Sequence, residues 1–177
     1  MPAERDHLKA VTALAEDLGQ AGLQAVLVGG MALIILGSRR ITMDFDLLVD
    51  AATLKPEVLI AIMYRHNFKL VTRFNPDGTA LRSADNANVA AAKLKMELPK
   101  SLHFWDHRTG LLVDLLLDFP VPARDVILRA TRVSNSGGTL RIAAREDLIH
   151  LKDIAHRERK KASDAQDLEF LRGLKRT

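Results

Sequence analysis

Residues 26–49 read VLVGGMALIILGSRRITMDFDLLV. The stretch opens as an apolar strand and breaks at Gly29-Gly30. It continues as a short apolar helix, and a basic loop then leads to Asp44-Phe45-Asp46. Residues two apart in a strand point to one face, so Asp44 and Asp46 stand side by side with Cα atoms about 6.5 Å apart. Two carboxylates so placed repel each other unless a cation lies between them. A hard divalent cation that prefers oxygen ligands suits them. Gly29-Gly30 lets the backbone come close to a ligand and sets amide donors at a helix opening, where anions bind. Phosphate at one end and metal at the other is the layout that phosphoryl chemistry requires. Each half alone is commonplace, since most Asp-x-Asp pairs are strand ends and most Gly-Gly pairs are turns. Their order and spacing together carry the reading.

The remaining chain sorts into one α+β unit. Apolar spacing predicts an amphipathic helix over residues 4–18, a strand over 25–28, a buried helix over 31–36 and a strand over 45–49. A helix capped by Thr53, with Pro56 in its first turn, runs to about residue 66. A short strand is expected over 68–72, a turn over 75–78 and a polar loop over 83–88. Residues 89–98 are placed in a strand-rich part, although their alanines also suit a helix. Strands over 102–107 and 111–117 flank a turn at Arg108-Thr109-Gly110. A helix opens at Pro122, a small hairpin follows over 132–143, and helices are expected over 145–161 and 163–174.

An acid inside the apolar run Leu112-Val113-Asp114-Leu115-Leu116 is costly unless it is paired or ligates a metal. Asp114 is therefore the candidate third carboxylate. Asp118 alternates onto the same face, but it lies at the strand end, where a solvated acid is ordinary.

Gly29-Gly30, Gly37, Arg40, Thr42, Asp44 and Asp46 together resemble the signature of the nucleotidyltransferase superfamily. The run from Gly37 to Asp46 is similar to the Gly-x-x-Arg-x-Thr-x-Asp-x-Asp pattern of a small prokaryotic branch, the AbiEii-like abortive-infection and toxin–antitoxin proteins. Glu146-Asp147-Leu148 with Leu151-Lys152, followed by Arg157, Asp164 and Asp167-Leu168, resembles that branch as well. The resemblance spans about residues 25–171. It implies a nucleotidyltransferase-like mixed β-sheet flanked by helices, with a C-terminal helical pair: a core over residues 1–143 and a helical segment over 144–177 packed on it as one domain.

The same resemblance implies magnesium-dependent transfer of NMP from an NTP to an acceptor hydroxyl. Asp44, Asp46 and Asp114 would hold two Mg2+ ions, while Gly29, Gly30, Arg40, Thr42 and Lys152 would face the nucleotide. RNA, tRNA or a protein is the implied acceptor, with an antitoxin as a further partner. Many members carry Gly-Ser where this chain has Gly29-Gly30, so a phosphate here would rely on backbone amides. An antibiotic-modifying transferase, or a non-catalytic nucleotide- or partner-binding protein, would use the same frame. Lys152 has a competing reading as the ion-pair partner of Asp164 or Asp167, which would tie the last two helices together.

Composition narrows the rest. The absence of cysteine excludes disulfides and thiolate metal sites. No apolar run is long enough to span a membrane, and the charged start MPAERDHLKA lacks a signal core, so a cytoplasmic protein is expected. The net charge of +4 suits a nucleotide or nucleic-acid substrate. Basic residues gather at Arg39-Arg40, over 157–161 and over 172–176. Aromatic residues make up only 5% of the chain, which argues against a base-stacking platform of the single-strand-binding kind. The histidines, His103 and His107 among them, have no regular metal spacing.

Overall fold

Helix α1 (Pro2–Gln20) leads into β1 (Ala25–Val28), α2 (Gly29–Ile35) and β2 (Asp44–Val49). Next come α3 (Pro56–Arg65), β3 (Lys69–Phe74), β4 (Ala80–Ser83), α4 (Ala87–Met96), β5 (Ser101–Asp106) and β6 (Leu111–Leu117). The chain closes with α5 (Ala123–Arg129), β7 (Thr131–Asn135), β8 (Gly138–Ile142), α6 (Arg145–Arg159) and α7 (Ala162–Gly173). This computed structural model describes residues 2–174, so Lys175 and Arg176 of the terminal basic cluster lie outside the described residues.

The strands form one mixed sheet in the order β4-β3-β5-β6-β2-β1-β8-β7. β2 runs parallel to β6 and antiparallel to β1, and β1 runs parallel to β8. The alternation expected of half-buried strands is plain in the centre. Phe45 and Leu47 of β2, Leu102 and Phe104 of β5, and Val113 and Leu115 of β6 are buried. They join Leu14, Leu18, Leu59, Met63 and Val126 in one core, and α1, α3 and α5 touch the sheet. The residues between them, Asp44, Asp46, His103, Leu112 and Asp114, point to the other face and keep some exposure. The α+β architecture with a C-terminal pair, α6 packed on α7, is as the sequence implies.

Three local expectations are corrected. Residues 89–96 belong to helix α4, not to a strand, and Glu97 ends it. The Asn86 side chain caps that helix, accepting from the amides of Asn88 and Val89. Its alanines favour helix, and Ala90, Ala91 and Leu94 give it a buried stripe. Strand β4 was not expected. It is a short edge strand, and Leu81 and Arg82 are exposed, so it has no buried alternation to read. Thr53 does not cap α3: Lys55 holds the cap position without a side-chain bond, and the Thr53 hydroxyl donates to the Gly22 carbonyl. Among the described residues no helix is long and apolar enough to cross a membrane.

Candidate active site

The site lies where the central strands end on the open face. The pairing of β2 with β6 puts Asp46 in register with Asp114 and Asp44 with Leu112. Asp44 and Asp46 share a face, so the three acids form a triangle on adjacent strands. On the far side of β2, Asp46 is paired with Val28, the last residue before α2. A cleft of about 500 Å³ opens here and is lined by Gly29, Gly30, Arg40, Thr42, Asp44, Asp46, Asp114 and Lys152. Residues far apart in the sequence thus meet in one cavity.

Gly29 and Gly30 first make room for other side chains. A β-carbon on Gly29 would lie 1.8 Å from Asp46 Oδ2, and one on Gly30 would lie 2.8 Å from Arg40 Cζ. The glycine pair therefore seats a carboxylate and a guanidinium against the opening of α2. Gly29 is also in the left-handed region, at φ +66, which an L side chain avoids.

The acids crowd one another. Burial, then the charges of Asp114 and Asp44, push Asp46 up to about 7, with Lys152 and Arg159 pulling the other way. Burial and then Asp114 also raise Asp44, and Arg40 opposes them. Such shifts mark a group of carboxylates short of positive charge.

All three acids are hard oxygen donors, so the residues fit Mg2+ better than a softer metal. Among the described residues, no three His, Asp or Glu side chains converge as a ready metal cage. Mg2+ takes one or two carboxylates and fills the rest of its shell with water and substrate phosphates.

Arg40 and Lys152 are already engaged. Arg40 Nη1 donates to Asp167 Oδ2, while Arg40 Nε is buried without a partner. Lys152 Nζ reaches Asp167 Oδ2 at 2.7 Å and Asp164 Oδ1 at 3.2 Å. Lys152 thus has the ion-pair partners that the sequence offered as its competing role, and it still lines the cleft. Arg159 and Lys161 line it as well, so the C-terminal helices do fold back over the carboxylates. Of the other basic residues in these clusters, Arg39, Arg157 and Lys160 are exposed and do not line the cleft.

His103 went unselected in the sequence because no metal spacing singled it out. Its Nδ1 donates to Asp114 Oδ1 at 2.7 Å, and Ser101 Oγ lies 3.3 Å from its Nε2. The bond to Asp114 raises the His103 pKa, against the effect of burial. The signal that finds it is register: once the turn after Asp106 pairs that residue with Leu111, His103 falls opposite Asp114. Asp118, the competing acid, is spent on the backbone. It accepts from the amides of Ala51 at 2.9 Å and Ala123 at 2.8 Å.

The same fold is found in solved structures. The fold is nucleotidyltransferase-like. The chain superposes on an antigenic nucleotidyltransferase-like protein from Paracoccidioides brasiliensis with a TM-score of 0.57 at 18% identity, covering 94% of this chain and 75% of that one. The lincomycin-bound lincosamide antibiotic adenylyltransferase LnuA gives 0.56 at 11% identity, covering 94% and 97%. The antibiotic-resistance factor ANT(2'')-Ia gives 0.56 at 11% identity, covering 92% and 80%. At these identities the likeness speaks for the fold. By sequence, no family model matches the chain and no curated protein does.

Proposed function

We propose that the chain is a magnesium-dependent nucleotidyltransferase that moves NMP from an NTP to a hydroxyl of RNA, and that it serves as the toxin of an AbiEii-like toxin–antitoxin pair. The observation that carries the catalytic part is the in-register pair Asp46 and Asp114 on adjacent parallel strands, with Asp46 seated on Gly29. The fold likeness supports nucleotidyl transfer in general. The toxin role rests on the sequence motifs alone.

In this reading Asp44, Asp46 and Asp114 would hold the metal. When bound, Mg2+ would acidify the attacking hydroxyl and neutralise the triphosphate. The acceptor oxygen forms a bond to the α-phosphorus, the bond from that phosphorus to the bridging oxygen breaks, and pyrophosphate leaves. The hydroxyl proton passes to the Asp114 oxygen that His103 does not occupy. His103 fixes the orientation of that carboxylate. Arg40 and Lys152 meet the phosphates by exchanging part of their pairing with Asp167 and Asp164. The amides of Gly29 and Gly30 and the Thr42 side chain complete the nucleotide side. Such transfers depend mainly on positioning and charge stabilisation.

The test is incubation with Mg2+, each α-labelled NTP, and either total RNA or total protein. Label on RNA that is lost in Asp44→Asn is the expected result. Transfer at an unchanged rate by Asp44→Asn would refute the catalytic assignment, and label only on protein would refute the acceptor.

A further inference from the structure

The sheet order assigns the two substrates to opposite sides of β2. The opening of α2, with Arg40 against Gly30, lies toward β1, and Asp114 lies toward β5. An acceptor hydroxyl directed at Asp114 must therefore come over β5 and β3. That half of the open face carries rings. His103 lies opposite Asp114 and Trp105 opposite Leu112, all half-exposed. Phe74 of β3 is 38% exposed and stands edge-on to His103, with centroids 5.0 Å apart. His107 leans against Trp105, with centroids 3.9 Å apart and the planes inclined at 39°. Aromatic residues are few in this chain, yet His103 lines the carboxylate cleft and the other three rings continue outward from it.

Beyond the rings, Arg73 and Arg82 are paired directly across β3 and β4. Both are exposed, and among the described residues neither has an ion-pair partner. The ladder is irregular on both sides of Arg73, and two exposed cations brought together there suit a phosphate group. Exposed rings on a strand face followed by basic groups suit stacked bases and a phosphate backbone.

We propose that the open face of β5 and β3 is the acceptor subsite and takes the 3′-terminal nucleotide of single-stranded RNA. The terminal base stacks on the Phe74, His103 and Trp105 row, its ribose hydroxyl turns to Asp114, and the preceding phosphate lies between Arg73 and Arg82. This rests on the transferase reading above, but its test requires no turnover.

Trp105 is the only tryptophan in the chain, so intrinsic fluorescence reports on the subsite. The full chain is titrated with a hexaadenylate bearing a free 3′-hydroxyl, in Mg2+ without NTP. Saturable quenching is expected. Phe74→Ala should weaken it on the order of tenfold, and Phe74→Tyr should restore it, within the range for stacking on one ring. A hexamer lacking its 3′-terminal base should lose affinity to a similar degree. Arg73→Gln should lower the salt slope by about one. Because Phe74 is exposed, its alanine variant should melt within a few degrees of the parent, which separates lost binding from lost fold.

Quenching that ignores the terminal base and Phe74→Ala would overturn the subsite. So would no quenching at all. Equal quenching by free adenosine would overturn the RNA assignment in favour of a small nucleoside. Nucleotide and metal binding, read separately by calorimetry, would stand in each of these cases.

Discussion

Asp46 rests its carboxylate in the space that Gly29 leaves by having no side chain: a β-carbon there would lie 1.8 Å from Asp46 Oδ2 and 2.6 Å from Asp46 Cγ. Gly29→Ala must therefore swing Asp46 away from Asp114. It also places an L residue at φ +66, which costs about 1–2 kcal/mol. The expected result is a loss of transfer on the order of a hundredfold, together with weaker Mn2+ binding by calorimetry. Gly30→Ala meets only the tip of Arg40, and a loss of roughly tenfold or less is expected, as for a displaced but flexible ligand. Equal losses in the two variants would show that the opening of α2, and not the seat of Asp46, is what matters.

The crowding of the acids has a sign that melts can read. Asp46 is raised from its ordinary 3.8 to about 7 in the folded protein, so the folded state binds more protons than the unfolded state between those values. This group's contribution to stability is therefore greatest in acid and falls as pH rises toward 7. Metal-free protein in EDTA should lose melting temperature over that window through Asp46. Asp46→Asn should flatten the fall and leave the variant more stable than the parent at pH 8. If the parent and Asp46→Asn keep parallel melting curves across the window, the carboxylates do not repel as described.

The central strands and the acid pair were legible because their signals are local. Apolar alternation, a glycine break and two acids two residues apart can all be read without knowing what lies across the sheet. Asp114 was legible through its cost in an apolar run. His103 was not, because its meaning comes from the register of the β5–β6 hairpin. Nor was the contact of Arg40 with Asp167, whose partners are 127 residues apart. The sequence allowed Lys152 either a phosphate or Asp164 and Asp167, and only packing brings it within reach of both carboxylates while it lines the cleft. Helix α4 was obscured because a run of alanines reads in either period, and its cap, Asn86, lies in what reads as loop.

Lys152 separates structure from chemistry. Its side chain is 12% exposed and serves both Asp164 and Asp167, whose side chains are 4% and 6% exposed. Lys152→Ala leaves two buried carboxylates short of a partner, which costs about 3 kcal/mol or more when a buried pair is broken. Asp164 keeps only the longer contact to Arg159, at 3.6 Å. A large drop in melting temperature is expected, along with weaker nucleotide binding. A variant that lost nucleotide affinity with an unchanged melt would show that the ion pairs contribute little and that Lys152 acts on phosphate alone.

Asp114 and Asp118 make a crossed pair, because simple alternation would put both acids on one face, yet Asp118 lies just past the end of β6 and the fold uses it differently. Asp114 stands in register with Asp46 and is oriented by His103. Asp118 sits at φ 48 and accepts two backbone amides, from Ala51 and Ala123. Asn tolerates a positive φ, so Asp118→Asn removes the charge without adding backbone strain. It should cost about 1–2 kcal/mol, the scale of weakening charged hydrogen bonds, and leave the rate of transfer within a few-fold of the parent. Asp114→Asn should do the reverse. Relief of its repulsion with Asp46 and Asp44 should hold or raise the melting temperature, while transfer falls by about a hundredfold or more, as when one preorganised electrostatic group is lost. Melts and single-turnover rates on the two variants check this together. If Asp118→Asn lost transfer while Asp114→Asn kept it, the catalytic acid would lie at the strand end.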